Sequence, residues 1–258
     1  MAEKWKEQVR IIHQDKISEG IYSVWFQTER IAEVAVPGQF VSVYCKEGSR
    51  LLPRPISICE INQQQGQIRI VYRIAGAGTK EISSYSSGDV LEIMGPLGNG
   101  YTLKKEKAFL IGGGIGIPPM LELAKQLHCE KEIILGYRSG ADLFLKEEFE
   151  PYGLVFTATE DGTFGTKGTV LDAIKENHLS ADQIYACGPT PMLRAVQLYA
   201  KEHGIKAQIS LEERMACGIG ACLACVCQSK EVDTHSYVHN KRVCKDGPVF
   251  DAEEVKFE

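Results

Sequence analysis

The chain has 258 residues, enough for two compact domains and a smaller appendage. Its 44% hydrophobic and 24% charged residues are those of an ordinary globular protein, which excludes a disordered, collagen-like or coiled-coil chain. A net charge of −5 without a Lys/Arg cluster disfavours a nucleic-acid binder. The longest charge-free apolar stretch, residues 108–121, is too short to span a membrane, and the N-terminus has no apolar leader. The sequence therefore predicts a cytoplasmic protein without a membrane partner.

Residues 1–102 are predicted to form a β-domain. Short runs rich in Val, Ile, Tyr and Phe alternate with turn residues such as Pro37-Gly38 and Gly88-Asp89. Strands at this spacing indicate a small antiparallel barrel, with one short helix predicted over residues 79–84. The predicted strands cover residues 8–14, 20–27, 39–45, 56–61, 67–75 and 89–95.

Residues 103–210 change to alternating strands and helices, which predicts a doubly wound, open parallel sheet. Strands are expected at 107–112, 132–137, 154–159, 183–188 and 206–211, and helices at 119–127 and 190–203. Residues 211–258 follow neither pattern and are rich in Cys and Gly. They are predicted to be a small third module shaped by what it binds.

The cysteines of this last module have the spacing of a metal site. Cys217-x4-Cys222-x2-Cys225, followed by Cys244, matches the plant-type arrangement for a 2Fe–2S cluster, with small residues that let backbone N–H groups approach the sulfurs. Zinc is the main alternative, although structural zinc sites favour two CxxC pairs and only one is present; unliganded thiols are the third. Cys227 is predicted to be a packed residue outside the ligand set.

The barrel sequence carries groups that suit a diphosphate. Guanidinium and hydroxyl donors together with free N–H groups at a helix start recognise phosphate oxygens. Taken alone they are weak evidence, because an Arg on a strand is commonly a solvated residue. The groups lie in Arg54-Pro55-Ile56-Ser57, Tyr72-Arg73 and Gly78-Thr79.

The second domain has a glycine-rich stretch, Gly112–Gly116, between a predicted strand and a predicted helix. Phosphate oxygens can meet backbone N–H groups at such a turn, although a tight turn without a ligand would look similar. Cys187-Gly188-Pro189 ends a later strand, where Cys187 could equally be a buried strand-end residue. Glu160-Asp161 ends another, where carboxylates would repel a 2′-phosphate and favour NAD over NADP.

The four blocks RPIS, GAGT, GGGIGIPPM and CGPTPM, in this order along a barrel and then a parallel sheet, resemble the ferredoxin reductase family of flavoproteins. With the cysteine set, residues 7–258 are similar to one branch of it, the electron-transfer subunits of NAD-dependent (B-type) dihydroorotate dehydrogenases. The resemblance implies that FAD lies on the barrel, with Arg54 on its diphosphate and Ser57 near the reactive flavin nitrogen. It implies further cofactor contacts from Pro55, Ile56, Val71, Tyr72, Arg73, Gly78, Thr79, Gly113 and Gly114, with Cys187 facing the nicotinamide. Ile56 departs from the family pattern, in which an aromatic residue commonly covers the flavin.

The resemblance also implies a partner, a catalytic subunit that carries FMN and oxidises dihydroorotate in pyrimidine (UMP) biosynthesis, in a heterotetramer with two copies of each chain. Electrons would pass from that FMN through the cluster and FAD to NAD+, because a flavin can exchange both a hydride and single electrons. No residue of this chain is expected to act as a catalytic acid or base. The alternatives are a related subunit of an NADPH:ferredoxin oxidoreductase or a sulfide dehydrogenase, and a zinc-stabilised binding module without redox chemistry.

Overall fold

The structure is a computed structural model that describes residues 4–232 and 237–257. Residues 1–3, 233–236 and 258, which fall within the predicted first and third domains, lie outside the described residues. Across the described ranges, no helix is both long enough and apolar enough to cross a membrane.

The first unit is a closed antiparallel barrel with the strand order β1-β2-β5-β4-β3-β6. Alternation along the strands fills it: Ile68, Ile70 and Tyr72 of β5 join the barrel core, whereas Val71 packs into the core shared with the next unit. The strands are β1 (Trp5–Ser18), β2 (Ile21–Gln27), β3 (Phe40–Val43), β4 (Arg54–Asn62), β5 (Gln67–Arg73) and β6 (Val90–Leu97), with helices α1 (Glu29–Val34) and α2 (Ala77–Ile82) between them.

The second unit is a mostly parallel sheet with the order β10-β9-β8-β7-β11-β12-β15. Helix α3 packs on one face, while α5 and α6 pack on the other, as the doubly wound prediction requires. Its elements are β7 (Ala108–Gly113), α3 (Pro118–Gln126), β8 (Lys131–Tyr137), α4 (Lys146–Phe149), β9 (Leu154–Thr159), β10 (Thr166–Lys167), α5 (Val170–Glu176), β11 (Gln183–Cys187), α6 (Thr190–His203) and β12 (Lys206–Ser210), with 3-10 turns at Gly114–Gly116, Gly140–Asp142 and Glu150–Tyr152.

The cysteine-rich segment contains a two-stranded sheet, β13 (Val226–Gln228) with β14 (Asn240–Arg242), and then β15 (Val249–Asp251). Strand β15 pairs antiparallel with β12 and so completes the sheet of the second unit. The stretch between β14 and β15 is bound by Asn99. The backbone N–H of Asn99 donates to the Gly247 carbonyl (2.6 Å), and its side-chain amide donates to the Asp246 carbonyl (3.0 Å). The segment is therefore attached both to the parallel sheet and to the link between barrel and sheet.

Candidate functional site

Arg54 and α2 meet at one edge of the barrel. Gly78 is buried against the Arg54 side chain, since a Cβ added to Gly78 would lie only 2.1 Å from Nε and 2.4 Å from Cζ of Arg54. The Thr79 hydroxyl holds the preceding loop by accepting the N–H of Ala75 at 2.9 Å. The structure thus brings together Arg54, Gly78 and Thr79, three of the predicted flavin contacts, in a form that suits a diphosphate: a guanidinium with backbone packed tightly beside it.

The rest of the RPIS block alternates across β4. Ile56 is 7% exposed and belongs to the barrel core, whereas Pro55 and Ser57 face the other way and are partly exposed. In the register of the neighbouring strand β3, Pro55 lies opposite Ser42 and Ser57 opposite Phe40. Position 56, where the family pattern commonly has an aromatic residue that covers the flavin, therefore holds an isoleucine whose side chain packs inside the barrel.

Strand β5 supplies a buried hydroxyl and an exposed guanidinium. Tyr72 is stacked on Tyr22 with ring centroids 5.9 Å apart, and its hydroxyl is buried with no hydrogen-bond partner among the described residues. Burial raises the pKa of Tyr72 well above its ordinary value, so this hydroxyl is a neutral donor. Arg73, one residue on, is exposed and reaches within 3.7 Å of the place where a Cβ of Gly114 would be. An unpaired buried donor fits a site whose acceptor is a cofactor.

The glycine-rich turn closely approaches the Cys187 turn because β7 and β11 are neighbours, with Gly112 paired to Cys187. A Cβ on Gly113 would meet the Met192 sulfur at 2.5 Å, and one on Gly116 would meet the Cys187 carbonyl at 2.5 Å. Gly114 has a φ of +53°, a left-handed conformation that favours glycine. The two turns pack closely together at the carboxyl ends of parallel strands, the place where doubly wound folds bind nucleotides, and leave Gly114 partly exposed there.

Cys187 ends β11 opposite Ser210 of β12. Burial raises its pKa to about 12, against the opposing effect of a hydrogen bond with Ser210, so the thiol is neutral at physiological pH. At the end of β9, Glu160 and Asp161 are exposed, and the Asp161 carboxylate accepts both the N–H (3.0 Å) and the hydroxyl (2.7 Å) of Thr163. These bonds from Thr163 lower the pKa of Asp161 and keep a negative charge at this strand end.

The four predicted cluster ligands influence one another as two thiol pairs. The Cys244 N–H donates to the Cys225 sulfur at 3.4 Å. Cys222 is near enough to Cys217 to lower its pKa, and Cys225 and Cys217 are near enough to Cys244 to raise its pKa. Among the described residues no three Cys, His, Asp or Glu side chains converge as they would on a single metal ion. A two-iron cluster instead takes two thiolates at each iron, which the two pairs suit.

Backbone N–H groups point at these sulfurs. Gly220 donates to the Cys244 sulfur (3.1 Å), Ala221 to that of Cys217 (3.3 Å), and Cys244 to that of Cys225 (3.4 Å). Burial opposes ionisation of Cys217, but the N–H groups of this loop outweigh it and lower its pKa to about 6. The donor set fits thiolates that bind an iron–sulfur cluster.

The surplus thiol, Cys227, lies on β13. Burial raises its pKa to about 11, the state of a packed neutral thiol. Cys227 is only partly buried, whereas Cys225 and Cys244 are 2% and 1% exposed and belong to the core that contains Leu97 of the barrel.

The cluster loop also contacts the barrel. A Cβ on Gly218 would lie 3.0 Å from the Ser42 hydroxyl oxygen and 3.3 Å from Leu97 Cδ1. Ser42 stands opposite Pro55 in the strand register, so the loop reaches the strand next to the RPIS block. Sequence reasoning missed Ser42, Asn99 and Ser210, because their roles come from neighbours far away in the chain and no local motif marks them.

Three parts of the chain match known domain families. Residues 8–101 match an oxidoreductase FAD-binding domain, residues 110–198 an oxidoreductase NAD-binding domain, and residues 212–256 the iron-sulfur cluster binding domain of dihydroorotate dehydrogenase B. Each match covers one of the three groups of residues described above.

Two curated relatives align over nearly the full length of this chain. One from Fusobacterium nucleatum is 44% identical over 94% of this chain and 95% of its own, and one from Bacillus cereus is 43% identical over 97% and 98%. Both are named dihydroorotate dehydrogenase B (NAD(+)), electron transfer subunit.

Two solved structures have a similar fold. A NADH-dependent reduced ferredoxin-NADP oxidoreductase has a TM-score of 0.86 at 30% identity, covering 96% of this chain and 89% of its own. The ferredoxin reductase of carbazole 1,9a-dioxygenase has a TM-score of 0.67 at 18% identity, covering 79% and 67%, and shows the fold alone.

Proposed function

The chain belongs to the electron transfer subunits of dihydroorotate dehydrogenase B, and from this membership we propose that it passes electrons from the FMN of a catalytic partner subunit, through a 2Fe–2S cluster and FAD, to NAD+. It is an oxidoreductase subunit with an FAD-binding domain, an NAD-binding domain and an iron–sulfur domain. Dihydroorotate oxidation, the step that serves pyrimidine synthesis, is assigned to the partner.

FAD, when bound, supplies a group that exchanges a hydride with nicotinamide and single electrons with the cluster. Arg54 and Gly78 hold its diphosphate, and the unpaired Tyr72 hydroxyl and the exposed Arg73 guanidinium donate to it. Other contacts come from the outer face of β4 and the elements beside it: Pro55, Ser57, Val71 and Thr79, with Ile56 supporting β4 from inside. Positioning is the task of these residues, and none is assigned a proton transfer.

The nucleotide binds over Gly113 and Gly114, with Cys187 toward the nicotinamide. Since the pKa of Cys187 is raised to about 12 by burial, it offers a neutral, compact surface there. The carboxylates of Glu160 and Asp161 support NAD over NADP by repelling a 2′-phosphate.

Cys217, Cys222, Cys225 and Cys244 hold the cluster, and Cys227 stays outside it. The observation that carries the proposal is the contact of Gly218, beside the first ligand, with Ser42, which lies opposite Pro55 in the RPIS strand. That contact supports a one-electron site beside the strand that carries the RPIS block, and the approach of Arg73 to Gly114 supports a nucleotide site next to the barrel.

The partner carries FMN, and the assembly is a heterotetramer with two copies of each chain. We place it in the cytoplasm, a compartment where thiolate ligands stay reduced. The proposal also divides the chain into an FAD-binding domain (1–102), an NAD-binding domain (103–210) and a cluster domain (211–258). Residues 249–251 of the last domain pair with the sheet of the NAD-binding domain. A related NADPH-linked ferredoxin oxidoreductase is the second candidate, supported by the 30% identical structure, but the 44% identity of the first relative favours the assignment made here.

The test is an anaerobic preparation of the chain. We expect a visible spectrum of flavin and cluster together, iron and sulfide in equal amounts, and bleaching of the flavin by NADH faster than by NADPH. Native mass spectrometry with the partner should give the heterotetramer mass. A colourless protein that contains zinc would contradict the proposal.

A further inference from the structure

Five charged side chains form a cluster where the barrel meets the nucleotide domain. Its centre is buried, since Glu122 is 3% exposed and Arg69 8%, whereas Glu148 lies at its exposed rim. Burying charge costs free energy unless the charges are paired and hydrogen-bonded, so each member needs partners. The members, called the interdomain ion cluster below, are Glu60 of β4, Arg69 of β5, Glu122 and Lys125 of α3, and Glu148 of α4.

Arg69 is the centre of the interdomain ion cluster. Its Nε donates to the Ser23 hydroxyl (2.8 Å), its Nη1 to Glu60 (2.7 Å), and its Nη2 to Glu148 (3.1 Å). Burial opposes its charge, but the bonds to Glu148 and Glu60 raise the pKa of Arg69 above its ordinary value, so the guanidinium stays charged. Since Glu148 belongs to α4, this one side chain ties three barrel strands, β2, β4 and its own β5, to the nucleotide domain.

Glu122 makes the second tie. Its carboxylate accepts the backbone N–H of Ile61 in β4 at 2.7 Å and the side-chain amide of Gln126 at 2.7 Å. Next to it, Lys125 Nζ lies 3.0 Å from the Glu60 carboxylate. Helix α3 is therefore bound to β4 in two ways. The buried Glu122 carboxylate accepts the main-chain N–H of Ile61, and Lys125 pairs with Glu60, the residue before Ile61.

The two elements so joined are those to which the proposed function assigns FAD and the nucleotide. β4 begins with the RPIS block and reaches Ile61 seven residues after Arg54, and α3 begins directly after the glycine-rich turn. Buried ion pairs add little net stability compared with apolar packing, but their bonds are directional and fix an orientation. Apolar contacts at the same interface, such as Val71 with the core of α3, do not fix rotation in this way.

We propose that Glu122, together with Arg69, is a positioning residue that sets the orientation of the nucleotide domain on the barrel, and thereby the alignment of nicotinamide with flavin. The inference rests on the proposed function. In the step as it is assayed, the reverse of transfer to NAD+, a hydride with its electron pair leaves C4 of NADH for the flavin ring, so that NADH becomes NAD+ and FAD, with one proton from solvent, becomes FADH2. Misplacing reactants by about 1 Å can cost on the order of a hundredfold in rate, so small rotations matter.

The test compares Glu122→Ala, which leaves the Ile61 N–H without its acceptor, with Glu122→Gln, which keeps an acceptor oxygen. Glu253→Gln is the matched control, because its ion pair with Lys206 is at the surface, with side chains 74% and 76% exposed. Three quantities are measured in the full chain: FAD content, the stopped-flow rate of flavin reduction by NADH and 4-deuterated NADH, and hydrogen exchange of the Ile61 amide in the flavin-free chain.

We expect Glu122→Ala to retain FAD and bind NAD+ within about threefold of wild type, yet to reduce flavin at least about tenfold more slowly, with a full deuterium isotope effect. Its Ile61 amide should exchange at least about tenfold faster, and Glu122→Gln should recover most of both losses. Glu253→Gln should match wild type.

Unchanged hydride transfer in Glu122→Ala, or equal losses in the Ala and Gln variants, would overturn the inference. Should Glu122→Ala not hold FAD, Glu148→Gln decides in its place, since Glu148 is 43% exposed and tolerates the change; unaltered hydride transfer there would equally overturn it. Failure of the wild-type chain to be reduced by NADH would instead refute the proposed function.

Discussion

Adding one methyl group at Gly78 should weaken FAD binding as much as removing the Arg54 side chain. The Cβ of Gly78→Ala would lie 2.1 Å from Arg54 Nε and 2.4 Å from Cζ, whereas carbon atoms in contact need about 3.5 Å. The guanidinium is the flexible end of a side chain, so it would swing away from the diphosphate and leave the fold intact. Hydrogen bonds to a charged group are worth about 1.5–3 kcal/mol, which corresponds to a roughly ten- to hundredfold loss of FAD affinity.

The assay is a titration of the flavin-free chain with FAD, in which the quenching of flavin fluorescence reports binding. Arg54→Ala and Gly78→Ala should each lose about ten- to hundredfold, and the double variant no more than about twofold beyond Arg54→Ala, because both changes remove the same interaction. Gly76→Ala is the control, two residues earlier at the N-cap of α2, where an added Cβ meets nothing within 4 Å. Equal FAD affinity for Gly76→Ala and Gly78→Ala, both folded, would show that the packing of Gly78 against Arg54 does not matter for FAD binding.

Three further predictions concern the other sites. Cys244→Ala should lose iron while Cys227→Ala keeps it, as measured by metal analysis; the reverse pattern would refute the ligand assignment. Gly116→Ala should destabilise the nucleotide domain by about 1–3 kcal/mol, because its Cβ would meet the Cys187 carbonyl at 2.5 Å, whereas Gly48→Ala in open space should leave thermal unfolding unchanged. Since the pKa of Cys187 is raised to about 12, the neutral thiol stabilises the fold below pH 9, and this contribution disappears as the pH rises toward 12. At pH 8, iodoacetamide should therefore label Cys187 at least about tenfold more slowly in the folded chain than in the unfolded chain. Equal labelling rates would contradict this.

The fold was predictable where the local sequence pattern favours the same secondary structure that packing in the folded chain requires. The barrel and the parallel sheet follow from runs of β-branched and aromatic residues and from helical spacing, and α6 covers the same residues, 190–203, in sequence and structure. Helix α2 begins at Ala77, two residues before the predicted start, because the Thr79 hydroxyl bonds back to the loop and closes the first turn. Helix α1, six residues within a loop, has too short a pattern to be recognised from sequence.

What sequence could not provide is long-range pairing. Strand β15 has three residues, and its place beside β12 depends on Asn99 and Gly247, which are almost 150 residues apart in the chain. Glu122 and Arg69 look like solvated charges in sequence, since nothing local marks burial. The cysteine spacing, by contrast, is a local signal that identified the iron–sulfur domain, which the family comparison confirms.

We propose that this chain carries electrons for a partner and does not itself oxidise dihydroorotate. The rate of NAD+ reduction by dihydroorotate tests this proposal when it is measured with this chain alone, with the FMN subunit alone, and with both mixed. We expect NADH to form only in the mixture, and not to form when Cys244→Ala removes the cluster. Turnover of dihydroorotate by the isolated chain, or full NAD-linked activity in a mixture free of cluster, would contradict it.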